Sequence, residues 1–122
     1  MGTRCNVIIS QTGKTNKAVY VYRHYDGYPD GTLPSLLSVL ANVGKRADEL
    51  QVATKIIQYN TTSGDIIDFP YELTSGEHGD IEYRYLINVR DRVLIVQSVK
   101  YSLDFLGDIE EPTYTEVATH AF

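Results

Sequence analysis

The sequence predicts an α+β domain in which an antiparallel β-sheet of order ββααββ carries two helices packed on one face. Two patterns lead to this class. Apolar and polar residues alternate with a period of two near both ends of the chain, and apolar residues recur at helical spacing in the middle. The length of 122 residues, 43% of them hydrophobic, suits one folded unit. We therefore expect a single domain over residues 1–101 and an acidic C-terminal tail over residues 102–122.

Two strands open the chain. The first is predicted at residues 5–9, where apolar residues at odd positions and β-branched content are typical of a strand. Cys5 shares that apolar face, so we expect it to be buried as a small hydrophobe rather than to act as a nucleophile. The second strand is predicted at residues 18–24, after a polar hairpin connection at residues 11–17. One face of this second strand carries Tyr20, Tyr22 and His24.

Two helices are predicted next. Thr32 is a candidate cap for the first, Pro34 falls in its first turn, and leucines recur at helical spacing up to a stop at Gly44. Asp48 and Gln51 have the spacing of a capping box, which predicts the start of the second helix. The expected apolar side of the second helix consists of Leu50, Ala53, Ile56 and Ile57.

The third part of the chain ends in a strong hairpin signal. Turn residues dominate residues 60–79, where only residues 66–69 are a candidate short strand. Clean alternation resumes over residues 81–89, and a second apolar run follows at residues 93–101. The two runs predict a β-hairpin, and they are the clearest local signal in the sequence.

The charge is distributed unevenly along the chain. Residues 1–101 hold 11 basic and 11 acidic residues, whereas the last 21 residues hold five acidic residues and no Lys or Arg. The net charge of −5 therefore comes from the tail alone. This balance makes a protein that binds the nucleic-acid phosphate backbone unexpected, and the acidic tail is expected to be solvated and to aid solubility.

Several other classes of protein are not expected from the composition. No apolar run approaches the roughly 20 residues of a membrane helix, and the first residues lack the charged-then-apolar layout of a secretory signal. We therefore expect a cytoplasmic protein. One cysteine excludes an internal disulfide framework, and three scattered histidines form no His-x-x-x-His pair. Neither a metal site nor a cofactor is predicted.

One segment concentrates polar and aromatic chemistry. It is the octapeptide of residues 22–29, Tyr-Arg-His-Tyr-Asp-Gly-Tyr-Pro, at the junction of the second strand and the first helix. Loops held on a rigid scaffold often carry sites. A continued strand would place His24 and Asp26 on one face, where Asp26 could orient an imidazole nitrogen of a general base. The structural alternative is that Asp26 only forms the turn.

Arg4 is a further candidate. The short connection between the first two strands would place Arg4 near Asp26, and an ion pair between them would most often be a structural clasp. A guanidinium beside tyrosines and a histidine also suits the capture of phosphate or carboxylate. The candidate ligand-binding residues are Arg4, Tyr22, Arg23, His24, Asp26 and Tyr28.

The Thr-Arg-Cys sequence at residues 3–5 and the octapeptide resemble a family of small phage, prophage and bacterial proteins. That family begins with a similar strand and carries a Tyr-x-His-aromatic-Asp-Gly-Tyr-Pro segment before a leucine-rich helix. The resemblance covers about the first 40 residues, and Tyr25 stands where the family often has tryptophan. It implies a phage or mobile-element setting without implying a reaction.

Three functions follow from these observations. We favour a non-enzymatic binding protein of phage or prophage type that engages a host protein or a small anionic ligand. The first alternative is a small hydrolase or transferase in which His24 is the base and Asp26 orients it, with Arg4 or Arg23 holding an anionic substrate. The second alternative is a structural or assembly subunit. If the tyrosine face of the second strand is uncovered, it would also suit a homo-oligomer.

Overall fold

The computed structural model describes residues 3–12, 14–15, 17–61, 67, 69–101 and 112–122. These residues form a six-stranded sheet and two α-helices, with a 3₁₀ turn after the second helix. In chain order the helices and strands are β1 (Cys5–Ser10), β2 (Val19–Arg23), α1 (Pro29–Leu40), α2 (Glu49–Gln58), β3 (Glu72–Thr74), β4 (Tyr83–Asn88), β5 (Val93–Lys100) and β6 (Thr113–Ala121).

The strands form one mixed sheet in the order β3-β2-β1-β4-β5-β6. Four of the neighbouring pairs are antiparallel, and β1 and β4 run parallel with Cys5 opposite Tyr83. The mixed α+β class with two helices is therefore confirmed. The order ββααββ and the wholly antiparallel sheet were wrong, because four strands follow the helices and one of them joins β1 in parallel.

The parallel pair arises from the chain between β3 and β4. Because β3 lies at the sheet edge, residues 75–82 must pass over β2 and β1 before β4 can begin. His78 marks this passage: its ring stacks on Tyr22 with 3.8 Å between centroids, and its backbone N–H donates to the Asn6 side chain at 2.8 Å. We call residues 75–82 the crossing segment. It covers the sheet face on which Tyr22 and Asn6 pair across β2 and β1.

The two helices pack on the opposite face of the sheet. Val7, Val21 and Tyr85 are opposite one another in β1, β2 and β4, and all three are fully buried. They share one hydrophobic core with Leu36 of α1 and Val52 of α2. Full burial of one aliphatic side chain stabilises a fold by about 1.5–3 kcal/mol, so this core holds both helices against the sheet.

The two helix starts were not equally predictable. At α2 the Asp48 carboxylate accepts from the Gln51 N–H at 2.8 Å, and the Gln51 side chain accepts from the Asp48 N–H at 2.8 Å, so the capping box is confirmed. Helix α1 begins at Pro29, and Thr32 lies inside it and is fully buried. The cap predicted at Thr32 was wrong, because its hydroxyl donates to the Asp26 carbonyl at 2.6 Å instead.

The predicted β-hairpin is confirmed as β4 and β5, which pair antiparallel along their lengths. Arg92, in the turn between them, has a φ of 54°. Its guanidinium donates to the carbonyls of Val43 and Gly44 at 3.1 and 3.3 Å. The hairpin turn is thereby tied to the chain that follows α1.

The region assigned from the sequence to the acidic tail includes a strand. β6 pairs antiparallel with β5, with a bulge near its middle, and lies at the edge of the described sheet. Residues 102–111, which carry four of the five tail carboxylates, lie outside the described residues, as do residues 66 and 68 of the candidate short strand. Neither helix in the described part of the chain has the length and hydropathy to span a membrane.

Candidate functional site

β2 ends inside the octapeptide, at Arg23, and this decides how the octapeptide is arranged. His24 and Tyr25 follow as exposed bend residues, Asp26 has a φ of 62°, and Gly27 is buried. The left-handed region is uncommon for residues other than glycine, although aspartate tolerates it better than most. The chain therefore turns at Asp26, and the continued strand that would place His24 and Asp26 on one face does not form.

The Arg23 guanidinium is buried beneath this turn, with 6% of the side chain exposed. Its Nε donates to the Phe69 carbonyl at 2.8 Å, and its Nη1 donates to the Gly31 carbonyl at 3.2 Å and to Thr32 Oγ1 at 3.0 Å. It also lies 4.5 Å from the centre of the Tyr71 ring. A buried charge is costly unless its donors are satisfied in this way, so Arg23 serves to hold the junction together.

Hydroxyl groups complete the contacts around Arg23. The Tyr71 hydroxyl accepts from Arg23 Nη1 at 3.3 Å and hydrogen-bonds with the Ser35 hydroxyl, which donates to the Thr32 carbonyl at 2.8 Å. Burial raises the pKa of Tyr71 to about 12, so this hydroxyl stays protonated near neutral pH. Each buried side-chain nitrogen and oxygen of the described residues has a hydrogen-bond partner. We call Arg23, Asp26, Thr32, Ser35 and Tyr71 the junction core.

His24 and Asp26 have different partners. The Nδ1 atom of His24 lies 2.8 Å from the Tyr22 hydroxyl. Asp26 Oδ2 lies 4.0 Å from Arg23 Nη2, and a hydrogen bond to the Asp26 carboxylate raises the pKa of the Tyr28 hydroxyl. Among the contacts of the described residues, His24 and Asp26 share neither a hydrogen bond nor an ion pair. The imidazole oriented by Asp26 that was expected of a general base is therefore not present.

Arg4 contacts the crossing segment rather than Asp26. Its Nε lies 3.5 Å from Asp80 Oδ2 and donates to the Asp80 carbonyl at 3.1 Å, and its Nη2 lies 3.5 Å from Glu82 Oε1. The side chains of all three residues are at least one third exposed. Partly exposed pairs of this kind contribute about 1 kcal/mol or less. Arg4 thus acts as a clasp, with partners that the strand pattern did not indicate.

Glycines allow the turn to pack against its neighbours. A Cβ atom on Gly27 would lie 2.7 Å from the Thr3 carbonyl oxygen, which accepts from the Gly27 N–H at 2.8 Å. A Cβ atom on Gly31 would collide with the Asp26 carboxylate. The Gly27 carbonyl in turn accepts from the buried Tyr85 hydroxyl at 2.7 Å. The backbone of the turn is therefore fixed by Thr3, just before β1, and by Tyr85 of the core.

The exposed half of the octapeptide borders a shallow cleft of about 330 Å³. Tyr25 is 45% exposed and Phe69 is 41% exposed, and their ring centroids lie 5.6 Å apart with a tilt of 48°. The His24 ring meets Tyr25 edge-on at 4.5 Å. The cleft therefore presents aromatic surface to solvent. We call it the aromatic cleft, and it is lined by Tyr22, His24, Tyr25, Phe69, Pro70 and Glu72.

The junction core also positions the walls of the aromatic cleft. The hydrogen bond from Arg23 to the Phe69 carbonyl links the end of β2 to the opposite wall, 46 residues further along the chain. Pro70 favours an extended backbone at the residue before it. The Asn60 side chain then holds both the N–H and the carbonyl of Tyr71 at 2.7 Å. The exposed rings thus stand on a backbone that buried contacts hold in place.

Tyr22 lies at the base of the cleft and is largely covered. Only 7% of Tyr22 is exposed, since His78 of the crossing segment stacks on its ring. Burial, and then the carboxylate of Asp80, raises the pKa of the Tyr22 hydroxyl. The open tyrosine face considered for a homo-oligomer is therefore closed at Tyr22.

Three residues of this region were missed at the sequence level: Phe69, Glu72 and His78. All three come after the helices in the chain, and no local sequence pattern indicates that they lie close to the octapeptide in the folded protein. The one available signal was Phe69 itself, an aromatic residue directly before a proline in a turn-rich segment. The Glu72 carboxylate makes no hydrogen bond or ion pair with any described residue, whereas the nearby carboxylates of Asp26, Asp80 and Glu82 belong to ion pairs.

Two other kinds of site were considered from the sequence, a cysteine nucleophile and a metal site. Cys5 is fully buried, as predicted, and burial raises the pKa of its thiol to about 12, so the nucleophilic thiolate does not form near neutral pH. Within the described ranges, no three His, Cys, Asp or Glu side chains are grouped so as to hold a metal ion. Comparisons of the chain with family models, with curated proteins and with solved structures found no match.

Proposed function

We propose that the protein is a non-enzymatic binding protein of phage or prophage type, and that the aromatic cleft docks on a host protein. The observation that carries this proposal is the pair of exposed rings, Tyr25 and Phe69, on a backbone anchored by the buried Arg23. Aromatic side chains are enriched in protein interfaces. Rings on a rigid backbone lose little conformational freedom on binding, which favours affinity.

The contacts of the octapeptide support binding rather than catalysis. A general base needs an orienting partner and access to a substrate proton. His24 Nδ1 pairs instead with the Tyr22 hydroxyl, while the Asp26 carboxylate lies beside Arg23 and Tyr28. A catalytic His24/Asp26 pair, as in the hydrolase or transferase alternative, would require the Asp26 carboxylate to leave Arg23 and Tyr28 and approach the His24 ring.

The charges support a protein partner rather than a small anion. Arg23 is buried and donates to carbonyl and hydroxyl oxygens, and Arg4 is paired with Asp80 and Glu82. Glu72 is the charged residue in the lining of the aromatic cleft. An anion entering the cleft would meet this carboxylate before any available cation, and like charges repel.

The test is retention of partner proteins from host-cell extract on immobilised protein. The cleft variant combines Tyr25→Ala with Phe69→Ala, and Val117→Ala removes an exposed apolar side chain from β6, at the far side of the sheet, as the matched control. We expect one host protein to be retained by the wild type and by Val117→Ala, and about tenfold less by the cleft variant. Equal retention by all three proteins, or no retained protein, would contradict the proposal.

A further inference from the structure

We propose that the aromatic cleft binds an arginine side chain presented by the partner protein, an inference that rests on the proposed function and specifies its chemistry. The first support is the arrangement of the two exposed rings. Tyr25 and Phe69 stand 5.6 Å apart with a tilt of 48°, and each is more than 40% exposed, so both rings offer surface that a ligand can reach. A planar guanidinium stacks on such faces and is attracted by their electrons within about 6 Å of the ring centre.

The second support is an unused carboxylate beside the rings. Glu72 lines the cleft at the start of the edge strand β3, and its carboxylate has no hydrogen bond or ion pair among the described residues. A carboxylate can accept two parallel N–H bonds from one guanidinium. By contrast, four carboxylates around the octapeptide do belong to ion pairs, namely Asp26, Glu77, Asp80 and Glu82.

The third support is the local charge. The lining of the cleft contains no Lys or Arg among the described residues, and the nearby Arg4, Arg23 and Arg84 already have acidic partners. Lys100 lies at the same end of the sheet but on β5, three strands from β2. At about 4.8 Å per strand this is about 14 Å, beyond the screening length of about 8 Å in physiological salt. A cation entering the cleft therefore meets a carboxylate without a competing positive charge.

The shape of the site favours arginine over lysine. The lysine ammonium is a compact and strongly hydrated charge that has no flat face. The arginine guanidinium can lie on a ring and pair edge-on with a carboxylate at the same time. The aromatic cleft offers both kinds of partner, with Tyr25 and Phe69 as the rings and Glu72 as the carboxylate.

The experiment is an NMR titration of the isotope-labelled full chain with a capped tripeptide, acetyl-Gly-Arg-Gly-amide. The same peptide with citrulline, which is neutral and has nearly the same shape, measures the contribution of the charge. Glu72→Gln removes the carboxylate from the cleft, and Glu116→Gln makes the same change on the exposed strand β6. The signals to follow are the ring resonances of Tyr25 and Phe69.

We expect the arginine peptide to shift both ring resonances in a saturable way. The apparent dissociation constant should rise about tenfold with the citrulline peptide and about tenfold in Glu72→Gln, with no change in Glu116→Gln. Equal binding of the two peptides would overturn the inference. So would unchanged affinity in Glu72→Gln, shifts located away from the cleft, or no saturable shift at all.

This outcome is separate from that of the partner-retention experiment. If a host protein depends on Tyr25 and Phe69 for retention but the arginine peptide fails, the proposed function stands and the arginine inference is wrong. If the arginine peptide binds through Glu72 but no host protein depends on the cleft, the inference about cleft chemistry holds and the proposed docking on a host protein is wrong.

Discussion

Neighbouring residues of the octapeptide lie in opposite environments. Arg23 has 6% of its side chain exposed and donates to several oxygens of the surrounding chain, whereas Tyr25, two residues later, is 45% exposed. Gly27 is buried in the same way as Arg23, and Tyr28 is 44% exposed in the same way as Tyr25. The buried half of this unusual segment fixes the backbone, and the exposed half offers a surface. Substitutions should therefore separate stability from binding.

The largest expected effect is that of Arg23→Met. The substitution keeps much of the apolar volume but removes all donors to the Phe69 and Gly31 carbonyls and to Thr32. Removal of one partner from a buried charged network costs about 3–5 kcal/mol. Urea unfolding followed by circular dichroism measures the loss.

Arg4→Met is the control for this substitution, since Arg4 also pairs with acids but is one third exposed. Its expected cost is about 1 kcal/mol or less. Equal destabilisation by the two variants would show that burial does not make Arg23 more important for stability than Arg4.

The second effect is that of Gly27→Ala. The added Cβ atom would lie 2.7 Å from the Thr3 carbonyl oxygen and 2.9 Å from the Cys5 backbone nitrogen, and backbone atoms cannot yield as a flexible side chain can. We expect a loss of about 2–3 kcal/mol. Gly44→Ala is the matched control, because a Cβ atom there meets nothing within 4 Å. A smaller loss in Gly27→Ala than in Gly44→Ala would contradict the close packing of the turn.

The third effect depends on pH. The Tyr71 hydroxyl ionises near pH 10 in an unfolded chain, while burial raises its pKa to about 12 in the folded protein. A group whose pKa is raised by folding stabilises the protein below its unfolded pKa, and this stabilisation is lost as the pH rises toward the folded pKa. Stability should therefore fall between about pH 10 and pH 12.

Tyr71→Phe should reduce this dependence on pH by about 1–2 kcal/mol over the interval. The measurement is urea unfolding at a series of pH values, with Tyr25→Phe as a control because that ring is exposed. The same slope in wild type and in Tyr71→Phe would exclude Tyr71 as its source.

The smallest effect on stability is expected for the aromatic cleft. Tyr25→Ala and Phe69→Ala remove side chains that are 45% and 41% exposed, so each should cost about 0.5–1 kcal/mol, far less than Arg23→Met. Thermal unfolding measures these changes. A large loss of stability in these variants would contradict this expectation. Unfolding alone would then explain any loss of partner retention, and the retention experiment would not identify the aromatic cleft as the binding surface.

The elements with local signals could be predicted from the sequence. Alternation located β1, β2 and the β4–β5 hairpin, and the spacing of Asp48 and Gln51 identified the start of α2. Leu50 was placed on the apolar side of α2 but is 63% exposed, because the buried stripe runs through Val52, Ala53 and Ile56. A helical period alone leaves the centre of the apolar face uncertain by about one residue.

The arrangement of the sheet depends on contacts between distant residues. The parallel pairing of β1 with β4 depends on where residues 75–82 cross, and no pattern in those residues indicates the crossing. β6 was hidden because a stretch with several carboxylates resembles a solvated tail, although only Glu116 of those carboxylates lies on the strand. Side-chain pairing in a sheet is decided by packing against neighbours, which composition does not reveal.

The candidate site was only partly predictable, because some of its residues come together through contacts between distant parts of the chain. The octapeptide was identified as unusual, but residue type alone did not separate the buried Arg23 from the exposed His24. The premise that both His24 and Asp26 lie on one strand face depended on the length of β2, which ends at Arg23, three residues before Asp26. Phe69 and Glu72 reach the cleft through the contacts of Arg23 and Asn60, which span 46 and 11 residues.

The most direct test of the two-sided octapeptide is an alanine scan of Arg23, His24, Tyr25 and Tyr28, with the free energy of unfolding measured in urea. Arg23→Ala should lose about 3 kcal/mol or more, whereas each of the other three variants should lose about 1 kcal/mol or less. Comparable losses at all four positions, or a larger loss at an exposed position than at Arg23, would contradict the division into a structural half and a binding half.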